Sequence, residues 1–138
     1  MAERIFRAEL GELESVLAFV GEELEQCGCS GRVKFQLDVA VEEIFVNIAH
    51  YAYPDREGQA TVRCCVGGDP VQVTVQFLDN GQPFNPLEKR DADITLSAED
   101  REIGGLGILM VKKSMDAVDY AYEDGKNILT IKKSIPAR

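Results

Sequence analysis

Glu43, Asn47 and His50 lie at steps of four and three residues in VEEIFVNIAHYAYPD, residues 41–55. At about 100° per residue they share one narrow stripe of a helix. The positions around them, Val41, Ile44, Phe45, Ile48 and Ala49, are apolar at helical spacing. A carboxylate one turn from an amide suits metal-assisted chemistry. The amide oxygen of Asn47 can hold Mg²⁺, a hard cation that takes oxygen ligands and keeps several waters. The carboxylate of Glu43 can take the proton of an attacking hydroxyl or water. The alternative is a solvated helix face, on which Asp38 and Glu42 read as ordinary surface acids.

Two further stretches could carry chemistry. In FLDNGQPFNP, residues 77–86, a strand ends in Asp79 and Asn80-Gly81 follows. A carboxylate buried at a strand end can accept a hydrogen bond from an exocyclic amine, and Gly81 would let the backbone approach a flat ring. Asp-Asn-Gly is also plain turn chemistry. Gly104-Gly105-Leu106-Gly107 opens a second helical pattern. Free N–H groups at a helix start suit an anion, so these glycines are either a phosphate cradle or a bare turn. They are not a Walker A loop, because Lys112 lies too late and no Lys-Ser/Thr pair directly follows the last glycine. A long polar loop, not a strand, precedes them, which removes a Rossmann context.

The elements that must position these residues are readable from periodicity. RIFRAEL (4–10) alternates as a strand, and ELESVLAFVGEELEQC (12–27) places Leu13, Val16, Leu17, Val20 and Leu24 on one helix face. GCSG breaks that helix. The helix with the Glu43 stripe runs from about Val33 to Ala52 and stops before Pro54. Residues 60–66 and 71–79 alternate around GGDP as a hairpin, and 117–124 and 127–134 do so around Gly125. Between the hairpins, residues 85–103 are polar and irregular, a length that points to a functional loop. Met110 and Met115, in the helix after it, read as core. The order predicts an α+β fold: a two-layer sandwich of a mostly antiparallel sheet with helices on one face.

Bulk properties bound the function. The 138 residues suit one domain, 1–138, with 45% hydrophobic residues. Nothing approaches the roughly 18 apolar residues of a membrane span. The first fifteen residues lack an apolar core, so no leader is expected. Cys27, Cys29, Cys64 and Cys65 have neither disulfide-framework nor zinc spacing, and reduced thiols in a cytoplasmic protein are expected. A net charge of −9 argues against direct nucleic-acid binding and suits a basic protein surface better.

Helix Glu-x-x-x-Asn, strand-end Asp-x-Gly, a polar loop and Gly-Gly-x-Gly opening a helix come in that order, and the order resembles the GHKL (Bergerat-fold, histidine-kinase-like) ATPase superfamily. The runs Asp-Asn-Gly-Gln-Pro-Phe-Asn-Pro (79–86), Gly-Gly-Leu-Gly-Ile (104–108) and Met-Asp-Ala-Val-Asp-Tyr (115–120), with the strand Asn-Ile-Leu-Thr-Ile (127–131), look most like the anti-sigma-factor serine kinases. The resemblance spans about residues 5–134. It implies ATP and Mg²⁺ as cofactors, with Glu43 as catalytic base and Asn47 as metal ligand. It implies Asp79 with Gly81 on adenine, Thr130 behind that contact, Gly105 and Gly107 on phosphate, and an ATP lid over about 86–103. Lys89, Arg90 and Arg101 are charges on that lid. The implied function is an ATP-dependent serine protein kinase that sequesters a sigma factor and phosphorylates a STAS-type anti-anti-sigma protein, as a homodimer. The alternative is a nucleotide-dependent module that sequesters a partner without phosphoryl transfer, for which the base Glu43 would be superfluous. One departure stands out: the family pattern has a histidine four residues after the asparagine, where this chain has Tyr51, with His50 at three.

Overall fold

The alternation of apolar and polar residues in short segments becomes one antiparallel sheet, and the helical stripes cover one of its faces. The computed structural model describes residues 2–88 and 105–136. Strand β1 is Ala2–Arg7, helix α1 Leu13–Glu25, helix α2 Gly31–Tyr51, strand β2 Gln59–Gly67 and strand β3 Gln72–Asp79; then come helix α3 Gly105–Ser114, strand β4 Ala117–Glu123 and strand β5 Lys126–Ser134. One-turn 3₁₀ helices occupy Leu10–Glu12 and Pro86–Glu88. The sheet order is β1-β2-β3-β5-β4, with every pairing antiparallel. The expected α+β sandwich is therefore observed. From residue 89 on, the expected lid, with Lys89, Arg90 and Arg101, lies outside the described residues, as does Gly104.

Side chains two apart on a strand share a face. On β3, Val73, Val75, Phe77 and Asp79 are all buried, and the first three belong to the core cluster. Their neighbours Ala60, Val62 and Cys64 on β2 and Leu129 and Ile131 on β5 belong to it too. Val16, Phe19, Val20 and Leu24 of α1 and Leu37, Val41, Ile44 and Phe45 of α2 close this core from above. Burying each such side chain contributes about 1.5–3 kcal/mol. The other face of the sheet carries a polar ladder: Glu3 bonds Arg63, Arg63 bonds Gln76 at 3.3 Å, and Gln76 donates to Thr130 Oγ1 at 3.2 Å.

Three features differ from the sequence reading. The first strand is Ala2–Arg7 rather than 4–10, because the chain turns into the 3₁₀ helix at Leu10. Helix α2 starts at Gly31, two residues earlier than expected, because Ser30 caps it: its Oγ accepts the Val33 N–H at 3.2 Å. Met110 is not core. It is 53% exposed, whereas Met115 is buried as expected.

Candidate nucleotide site

Helix α2 brings its polar stripe under the start of α3. Asn47 is 3% exposed, and its Nδ2 donates to Glu43 O at 2.8 Å and to Glu43 Oε1 at 3.3 Å. Its Oδ1 is buried with no hydrogen-bond partner among the described residues. An orphaned buried acceptor costs about 1–3 kcal/mol, so its survival calls for an explanation. A hard cation supplies one: the amide is turned so that its donor is used internally and its oxygen is left for a ligand. His50, one turn on, is exposed beside Tyr51 at 6.0 Å between ring centroids and does not join Glu43 and Asn47.

Helix α3 opens at Gly105 and brings Gly107 against Glu43. A Cβ on Gly107 would lie 2.1 Å from Glu43 Cδ and Oε2, so no other residue fits there with Glu43 as it stands. Gly81 is as tightly placed at the end of β3, where a Cβ would lie 2.2 Å from Ala52 O. Gly81 is required by its close approach to backbone at the end of α2, whereas at Gly107 the obstacle is the far end of the Glu43 side chain.

Asp79 ends β3 facing the helices. It is 6% exposed, and its Oδ1 accepts from Gly81 N and Asn127 Nδ2, both at 2.9 Å. Burial pushes its carboxyl above the usual range; the hydrogen bonds from Asn127 and Gly81 pull the other way. Asn127 sits opposite Asp79 in the β3–β5 register and is itself buried. Its Nδ2 also donates to Gln82 O at 2.8 Å, while its Oδ1 accepts from Phe84 N at 3.1 Å and from the Tyr120 hydroxyl.

The family resemblance implies Thr130 behind Asp79. The structure does not bring the two together. Thr130 pairs with Gln76, on the opposite face of the sheet, and belongs to the polar ladder there. The residue behind Asp79 is Asn127, which the sequence does not single out, because the turn at Gly125 sets the β4–β5 register and not the β3–β5 register that pairs the two.

Asn47, Asp79 and Asn127 line one pocket with Ile44, Phe77 and Leu129 at its base and Phe84, Pro86 and Tyr120 around it. The free space among them is ≈ 20 Å³, room for about one water molecule. Phe84 stacks on Tyr51 at 5.1 Å. A flat base therefore enters only if the segment that follows Asp79 gives way. Gly107 and Glu43 stand at the other end of the Asn47 stripe. The arrangement offers an apolar slot ending in a carboxylate, an unpaired amide oxygen, and a second carboxylate beside a glycine-bearing helix start.

Fold and site together define a histidine-kinase-like ATPase domain. The comparisons agree: the family model described as "Histidine kinase-like ATPase domain" matches residues 6–133, and the chain belongs to that family. Among its relatives is the serine-protein kinase RsbW of Listeria monocytogenes, 33% identical over 102 residues, covering 70% of this chain and 63% of the relative's length. The serine/threonine-protein kinase BtrW of Bordetella bronchiseptica is 26% identical over 102 residues, 74% of this chain and 71% of the relative. The crystal structure of the RsbU and RsbW domains of a Mycobacterium tuberculosis protein superposes with a TM-score of 0.66 at 16% identity, covering all of this chain and 34% of that one, a likeness of fold. Among the described residues, no helix is long and apolar enough to cross a membrane.

Proposed function

We propose that this chain is an ATP-dependent serine protein kinase that acts as an anti-sigma factor in the cytoplasm. It sequesters a sigma factor and phosphorylates a STAS-type anti-anti-sigma protein. The observation that carries the reading is the orphaned, buried Oδ1 of Asn47, one helical turn from Glu43 and in one pocket with Asp79. Asn47 would hold Mg²⁺, which when bound neutralises phosphate charge. Asp79 would accept from the adenine amino group, with Asn127 rather than Thr130 fixing its carboxylate. Glu43 would take the serine proton, and the N–H groups of α3 from Gly105 to Gly107 would face phosphate. Phosphoryl transfer asks for positioning and charge stabilisation more than covalent chemistry, and these residues supply both.

The test is ATP binding by calorimetry with and without Mg²⁺, followed by transfer of labelled γ-phosphate to STAS-domain proteins of the same organism. Magnesium-dependent binding and a phosphorylated serine support the proposal. Binding without transfer, unchanged by Glu43→Ala, would leave a nucleotide-dependent binding module instead. A folded wild type that binds no ATP would sink both.

A further inference from the structure

Asn80 stands between Asp79, which ends β3, and Gly81, and it has no strand partner of its own. Both of its backbone polar groups are nevertheless taken, each by a side chain from the segment after α2. The Tyr53 hydroxyl accepts the Asn80 N–H at 2.9 Å and donates to Gln59 O at 2.5 Å. Arg56 Nη2 donates to Asn80 O at 2.9 Å, and its guanidinium lies 5.5 Å from the centre of the Tyr53 ring. The ring itself rests on Gly58, where a Cβ would come within 2.2 Å of it. Burial raises the Tyr53 phenol above its usual range, so the hydroxyl keeps the proton that it donates.

Neither side chain lines the pocket that holds Asp79. Tyr53 and Arg56 line a separate open cavity with Arg7, Glu57 and Asn80. Whatever they do for a nucleotide they therefore do through the Asn80 peptide. We propose that Tyr53 and Arg56 are positioning residues for nucleotide recognition, which clamp the Asn80 peptide from behind and so hold Asp79 and Gly81 in their binding pose. This inference rests on the functional reading above. A loop end held by two side chains has already lost the freedom that a ligand would otherwise have to remove, and that preorganisation appears as affinity. Ala52, which ends the helix that carries Glu43 and Asn47, also accepts Gln82 N at its carbonyl oxygen, 2.8 Å, so the end of α2 and the segment after it hold the loop on both sides of Gly81.

The experiment uses Tyr53→Phe, which keeps the ring over Gly58 and removes only the hydroxyl, together with Arg56→Ala and Arg56→Lys. Three quantities are read: the melting temperature, amide hydrogen exchange at Asn80 and Gln82 without nucleotide, and ATP binding with the KM and kcat of phosphate transfer. Expected are a melting temperature close to wild type and faster exchange at Asn80 in Tyr53→Phe, with Gln82 still protected. The Kd and KM for ATP should rise about tenfold at unchanged kcat, as for a lost preorganising contact, with partial recovery in Arg56→Lys. Wild type that binds ATP and variants that bind it equally well would overturn the inference alone. Asn80 exchange indifferent to Tyr53→Phe would overturn the clamp. Wild type that binds no ATP would overturn the functional reading and the nucleotide role together, and the exchange data would separate that failure from failure of the clamp.

Discussion

Asn127 on β5 faces Asp79 on β3 directly across the ladder, and its amide donates to the Asp79 carboxylate at 2.9 Å. Every hydrogen-bonding position of the Asn127 side chain is used. Its two N–H groups serve Asp79 and Gln82, and its oxygen accepts from Phe84 and Tyr120. One buried amide thus ties together the end of β3, the segment that follows it, and strand β4.

Replacing Asn127 by Leu keeps the branched shape at a somewhat larger volume and removes all four bonds. It leaves the Asp79 carboxylate with the Gly81 N–H alone and strands Gln82 O. The expected cost is about 1–3 kcal/mol for each group left unpaired, read as a lower melting temperature. ATP affinity should fall by roughly tenfold to a hundredfold on the same account. Equal ATP affinity in a folded Asn127→Leu protein would show that the carboxylate needs no orienting partner.

Asp79→Asn separates binding from folding. Both hydrogen bonds to Asp79 fall on Oδ1, and an amide oxygen can accept them as well. The other oxygen becomes an NH₂ group, which cannot accept from an exocyclic amine. ATP binding should therefore disappear. Stability should not, and the sign follows from the raised carboxyl. Burial lifts it above its ordinary 3.8, so the folded state keeps this proton to higher pH than the unfolded chain does. Asp79 accordingly takes stability away as pH rises from the unfolded value to the higher folded one. The Asn variant should melt at or above the wild-type temperature at neutral pH. Its advantage should shrink as pH is lowered through that window. A markedly lower melting temperature at neutral pH would mean that the ionised carboxylate supports the fold.

How much of this was legible in the sequence depends on the range of the interaction. Glu43 and Asn47 are one turn apart on a helix, and their stripe could be read from spacing alone. Asp79 could be read as a strand end because Asn80-Gly81 follows it. Its partner could not be read so directly. Asn127 and Thr130 are both polar residues on the last strand, and an odd separation puts them on opposite faces. Only the β3–β5 register decides that Asn127 meets Asp79 while Thr130 meets Gln76. Met110 escapes a sequence reading for a similar reason: an apolar residue on a short helix identifies no face until the packing partner is known. The Tyr53 and Arg56 clamp was illegible, since its partner is a backbone peptide 24 residues from Arg56.

Ser30 gives a test of stability that should leave chemistry alone. Its Oγ caps α2 by accepting the Val33 N–H at 3.2 Å. Ser30→Ala removes that acceptor and should cost about 1 kcal/mol, seen as a lower midpoint of urea unfolding at unchanged slope. The cap lies roughly three and a half helical turns from Glu43, so the ATP Kd at a temperature where the variant is folded should match wild type. A large loss of affinity would mean that the start of α2 communicates with the site.

Gly107 and Glu43 supply the sharpest test of the reaction. An added Cβ at Gly107 would meet Glu43 Cδ and Oε2 at 2.1 Å. Those atoms are the far end of a flexible side chain, so Gly107→Ala should fold with little loss and displace the carboxylate instead. The displaced carboxylate also gives up the 3.3 Å contact from Asn47 Nδ2. Loss of a positioned base lowers phosphate transfer by about 10²–10⁴-fold. Glu43→Ala should show that loss with ATP affinity retained, and Gly107→Ala should show much of it. In the double variant the added methyl group no longer has a carboxylate to displace, so transfer should be no lower than in Glu43→Ala alone. If the two losses multiply, Gly107 contributes independently of the base, through its own approach to phosphate. The transfer rate of the double variant, measured at saturating ATP, decides between the two.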